Sequence, residues 1–162
     1  CSSDLLFVSL DGAGAQAEYM RTGLEYDRML NNIKTFLRET KYTTVSFINT
    51  FNMLSIPSLH KFLEMILELR REFGGRAQTE FTISPEQTET EKQHNIVHKV
   101  YKQKKFQRVF FDIPILRFPP WFSVLNATEK EIEEVERCLK FMEDNVQGDD
   151  YLETFEIGRA HV

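Results

Sequence analysis

Cysteine is scarce in this chain. Only Cys1 and Cys138 of the 162 residues carry a thiol. They make no disulfide framework, so a reducing compartment, the cytoplasm, is the expected location. Long apolar runs are also missing. None reaches the ~20 residues that cross a bilayer, and no signal peptide is visible, so no membrane partner is expected. A surplus of positive charge is missing too: the net charge is -5. The single basic cluster, Lys99 to Arg108 (KVYKQKKFQR), is short and reads as a solvated helix face or loop, so no nucleic-acid partner is expected. What remains is 41% hydrophobic and 28% charged residues, the composition of one globular domain with a real core.

The apolar pattern alternates between strand and helix. Leu5 to Leu10 (LLFVSL) is a nearly continuous apolar run, expected of a strand covered on both faces. Glu25 to Thr40 places Tyr26, Met29, Leu30, Ile33, Phe36 and Leu37 on one stripe of a helix. Thr43 to Thr50 is β-branched and reads as a second strand. Ser55-Ile56-Pro57 opens a second long helix that Gly74-Gly75 ends. Gln78 to Ile83 reads as a strand, and Ser84 opens a polar helix running towards Lys105. Arg108 to Leu116 is a further strand, with Pro114 marking its end or a bulge. Trp121 to Leu125 is expected to continue extended. Thr128 and Glu131 form a capping box for the last helix, striped by Ile132, Val135, Leu139 and Met142. This order predicts an α/β fold with a parallel sheet, and ligands at the carboxyl ends of its strands.

Both ends look unusual. The chain starts on Cys1 and enters a strand within a few residues. Its last seven residues, Glu156 to Val162 (EIGRAHV), back-translate into one frame of a common sequencing adapter. A fragment with a read-through tail is the expectation from this: residues 1–145 form a domain portion, and residues 146–162 a polar tail.

Three readings compete for Phe7 to Gly23, FVSLDGAGAQAEYMRTG. Gly12 to Ala17 matches the dinucleotide fingerprint GxGxxA after a strand. That mechanism needs a helix starting at once, yet Thr22-Gly23 breaks the chain early, and the next strand ends in Asn49-Thr50 without the ribose acid. A plain turn accounts for Asp11-Gly12 but not for Ser9, which alternation puts on the same side of the strand as Asp11. Ser9 and Asp11 offer groups for ribose hydroxyls or an amino group, and Arg21 offers a fork for a carboxylate. The strand-end rule adds Asn49 and Asn52 to the candidates. His94 and His98 have i, i+4 spacing but no third ligand, and read as polar surface. Asn126-Ala127-Thr128 fits a glycosylation acceptor and reads as part of the helix cap.

The ordered set SLDGAG, YMRTG and Asn31-Asn32-Ile33, then TTVSFINTFNMLSI and FFDIPILRFPPWFSVLN, resembles the middle of the radical S-adenosylmethionine superfamily. It is most similar to members with a SPASM or twitch extension. The resemblance spans Leu5 to Asn145, with a poorly matched stretch from Arg76 to Lys105. It implies a fragment of a partial (β/α)6 TIM-like barrel, the later part of an enzyme core. Ser9 and Asp11 would then contact the ribose or the methionine amino end of S-adenosylmethionine and Arg21 its methionine carboxylate, with Asn49 and Asn52 joining as cofactor-binding candidates from the strand-end rule. The implied reaction is reductive cleavage of that cofactor to a 5'-deoxyadenosyl radical, which abstracts hydrogen from an unidentified substrate, a peptide being one candidate. The implied electron donor is a ferredoxin or flavodoxin. The implied four-iron four-sulfur cluster needs a CxxxCxxC motif that this sequence lacks. The resemblance places that motif in a missing N-terminal half, and leaves the fragment inactive with no metal ligand or catalytic residue of its own.

Overall fold

A computed structural model describes residues 5–40, 43–83 and 99–146. The elements are β1 (Leu5–Ser9), α1 (Ala15–Met20), α2 (Tyr26–Glu39), β2 (Thr44–Ile48), α3 (Ile56–Phe73), β3 (Gly75–Ile83), β4 (Lys99–Gln107), β5 (Val109–Asp112) and α4 (Glu129–Asp144). Two compact units result. One runs to Gly74 and resumes at Gln107; the other is Gly75–Phe106.

The first unit is an α/β fold on a three-stranded sheet of order β1-β2-β5. Both pairings are parallel. Leu5 stands beside Thr44 and Ser9 beside Ile48; Val45 stands beside Val109 and Ile48 beside Asp112. An isolated bridge from Phe51 to Ile115 carries the second pairing onward. The sheet is open.

Alternation along the strands decides where the core lies. Val45, Phe47 and Val109 are fully buried and join Ile33 and Leu37 of α2, Phe62, Ile66 and Leu69 of α3, and Cys138 of α4 in one cluster. Phe62 meets Phe47 and Phe111 edge-on, at 6.1 and 6.3 Å between ring centroids. Full burial of such a side chain contributes about 1.5–3 kcal/mol. The opposite face is less covered among the described residues. Leu5 is 50% and Phe7 60% exposed, and their sheet neighbours Thr44 and Ser46 lie outside the core. The expectation that β1 is covered on both faces is therefore corrected: its apolar run packs on one side only.

Two more expectations change. Lys99–Gln107 is a strand paired with β3, not the end of a polar helix. Pairing outweighs a local preference that the charged sequence left weak. Residues 120–126 form two short 3-10 turns, Pro120–Phe122 and Val124–Asn126, rather than an extended segment. The Ser123 hydroxyl caps the second by accepting from the Leu125 N–H. The strand expected over residues 108–116 stops at Asp112, short of Pro114. Serine 84 to His98, including His94, and the tail after Val146 lie outside the described residues. No described helix is long and apolar enough to cross a membrane.

Candidate functional site at the carboxyl edge of the sheet

Three of the expected site residues come together just beyond β1. Arg21 Nη2 donates to Ser9 Oγ at 2.6 Å and to Asp11 Oδ2 at 2.7 Å, and Arg21 Nε donates to the same Oδ2 at 3.0 Å. The other carboxylate oxygen, Asp11 Oδ1, accepts the Thr50 N–H at 3.0 Å. The carboxyl ends of β1 and β2 are thus joined through one aspartate.

The local chain explains the convergence. α1 is a helix of six residues, and Arg21 follows it with its N–H on the Ala17 carbonyl. Gly23 takes a positive φ of 85°, which reverses the chain after Arg21 at little steric cost. Glu18 accepts the Tyr26 N–H at 2.9 Å, so α1 caps the start of α2. The loop carrying Arg21 is therefore closed at both ends. The long helix that a dinucleotide site would require near Gly14 is absent among the described residues, because α1 ends at Met20.

The site offers donors. Both Asp11 oxygens are already bonded. Ser9 accepts from Arg21 and keeps its own hydroxyl proton. Arg21 Nη1 has no hydrogen-bond partner recorded among the described residues, and the Arg21 side chain is 38% exposed against 15% for Asp11. The arrangement suits a carboxylate or another small oxyanion, held by the Ser9 O–H and the outer edge of the guanidinium. Asp11 fixes the arginine in place.

Asn49 and Asn52 do not join this trio. Asn49 continues the buried alternation of Val45 and Phe47, on the side of the helices. Neither polar atom of its fully buried amide has a partner among the described residues. Asn52 is engaged locally: its Oδ1 accepts the Leu54 N–H at 2.9 Å and its Nδ2 donates to the Thr50 carbonyl at 2.6 Å. It shapes the turn into α3. Sequence reasoning placed both by the strand-end rule alone, and neither side chain meets the Arg21 trio.

Several contributors carried little or no sequence signal. The Thr50 N–H is a backbone group and has no residue signature. Ser58 accepts the Ala13 N–H at 3.2 Å, and Gln16 donates to the Leu54 carbonyl at 2.8 Å. Two serines three apart at a helix start, Ser55 and Ser58, were the available hint. Phe118, Trp121 and Leu125 stand exposed on the loop after β5, which is tied back by the Met53 N–H to the Phe122 carbonyl at 3.0 Å.

The remaining thiol is inert. Cys138 is fully buried in α4, and burial pushes its pKa up to about 12, so it stays protonated. Among the described residues no three His, Cys, Asp or Glu side chains are grouped to hold a metal ion. No protein-family model, curated protein or solved structure matches this chain.

Proposed function

We propose that this chain is the later part of the barrel of a radical S-adenosylmethionine enzyme, and that Ser9 and Arg21 receive the methionine carboxylate of that cofactor. The observation that carries the reading is the fork of Arg21 on Asp11 and Ser9 at the carboxyl end of a parallel strand. In α/β sheets, ligands are taken up at that end. The less covered sheet face bearing Leu5 and Phe7 supports the barrel part of the reading. Parallel strands are ordinarily covered on both faces, and in a barrel this face would look inward.

The residues present fit the amino-acid end of the cofactor. Arg21 has an open edge and Ser9 a proton to donate. Asp11 holds the arginine. The cluster does not fit these residues: three thiolates are needed, and the chain has two cysteines, one of them buried. These 162 residues therefore bind and orient, and no radical step is assigned to them. An electron donor such as ferredoxin or flavodoxin, and the substrate, belong to the whole enzyme in this reading.

The reading is tested by extending the reading frame upstream of the Cys1 codon. A CxxxCxxC motif encoded there, with reductant-dependent release of 5'-deoxyadenosine by the complete protein, is the expected result. A frame that starts locally and encodes no cysteine motif rules the proposal out.

A further inference from the structure

We infer that Ser58 is a positioning residue, whose hydroxyl locks the Gly12–Ala13 turn and thereby sets Asp11 and Arg21 in register. Ser58 is buried in the first turn of α3, and its Oγ accepts the Ala13 N–H at 3.2 Å. Position 12 leaves room for that contact. A β-carbon at Gly12 would lie 2.6 Å from the same Ser58 oxygen. Gly12 is not among the glycines with positive φ. Space, not backbone conformation, therefore demands glycine here.

A second tie acts in parallel. Gln16 Nε2 donates to the Leu54 carbonyl at 2.8 Å. The segment between the two ion-pair partners is thus held against the start of α3 at two points, one in the turn and one in α1. Asp11 immediately precedes this held segment and Arg21 immediately follows α1. A partly exposed ion pair by itself gains little, because two side chains must be ordered to make it. Fixing the backbone on both sides removes much of that cost and leaves the guanidinium edge aimed before a ligand arrives.

The lock makes a specific prediction about coupling. In Gly12→Ala the easiest relief is rotation of the Ser58 hydroxyl, which breaks its bond to Ala13. Ser58→Ala removes the same bond directly. Both variants therefore produce one defect, and the double variant adds nothing to it.

The readout is the Arg21 Nε–H, whose bond to Asp11 slows its exchange with water and can be followed in 15N-resolved spectra. Each single variant is expected to speed that exchange by about tenfold, and the double variant to match the singles. Gly12→Ala retains Ser58 and only turns its hydroxyl away, so the test does not depend on Ser58→Ala folding well. Variants that lower Tm but leave the Arg21 proton as protected as in wild type overturn the inference, as do additive effects of the two substitutions. The consequence for ligand binding rests on the function proposed above: affinity for S-adenosylmethionine falls about tenfold in Ser58→Ala. A complete wild-type protein, upstream part included, that does not bind S-adenosylmethionine defeats that function, while the Arg21 proton still decides the role of Ser58.

Discussion

Arg21 and Arg108 sit at opposite ends of the same three strands, and their bonding differs in kind. Arg108 is buried at the amino end. Its Nε donates to the Thr43 carbonyl at 3.1 Å, and its Nη2 to the carbonyls of Leu37, at 3.0 Å, and Thr40. A cation there satisfies the last turn of α2 and complements its dipole. Arg21 is partly exposed at the carboxyl end and bonds a carboxylate and a hydroxyl instead. Backbone carbonyls cannot be exchanged for a ligand, whereas an outward guanidinium edge can accept one. One end of the sheet is closed by its arginine and the other is equipped by it.

The contrast breaks most visibly in Arg108→Ala. Removing the guanidinium leaves buried carbonyls without their donor, so urea denaturation should show a loss of about 3 kcal/mol. Arg21→Ala should change stability by less than ~1 kcal/mol, yet weaken S-adenosylmethionine binding by about thirtyfold in the complete protein. An Arg21 variant as unstable as the Arg108 variant would make both arginines structural. The next effect is smaller and of opposite sign. Asn49→Leu replaces an unpartnered buried amide with an apolar side chain of similar size, and should stabilise the protein by about 1 kcal/mol. Destabilisation would show that the amide is served by a bound water or ligand at this edge.

The smallest effect lies away from both arginines, at the start of α4. The Thr128 backbone N–H, and then its hydroxyl, hold the Glu131 carboxyl below the ordinary carboxylate range. A lowered folded pKa means that this contribution is present above the unfolded carboxylate pKa and is lost as pH falls through the folded value. Glu131→Gln should therefore flatten the acid limb of a stability–pH curve by slightly lowering stability at neutral pH, and match wild type in acid.

Much of this was readable from the residues. The β1 and β2 strands, the long helices α2 and α3, and the capping box of α4 follow from periodicity and end signals that agree with each other. The Ser9, Asp11 and Arg21 trio followed from alternation plus a short loop. The failures have physical causes. Lys99–Gln107 has no strong period, so its pairing with β3 could not be anticipated. The less covered face of β1 depends on what lies against it, and the apolar run LLFVS is the same whether one face or two are covered. Asn49 stands apart from the trio because the strand-end rule names positions and not directions. The Thr50 N–H and the space at Gly12 belong to the backbone, where residue identity is silent.

The placement of Arg70 and Arg108 has a further consequence for how this chain can change. Arg70 lies shortly before Gly74, with its Nε on the Val109 carbonyl at 2.9 Å. Arg108 lies just after Gln107. The chain leaves the α/β unit after Gly74 and rejoins it at Gln107, so an arginine bonded within that unit guards each margin of the excursion. Both arginines bond inside that unit, so its chain is anchored by its own residues on each side of the excursion. A substitution of either arginine therefore frees β5 from a helix, α3 or α2, at the point where the chain re-enters the sheet.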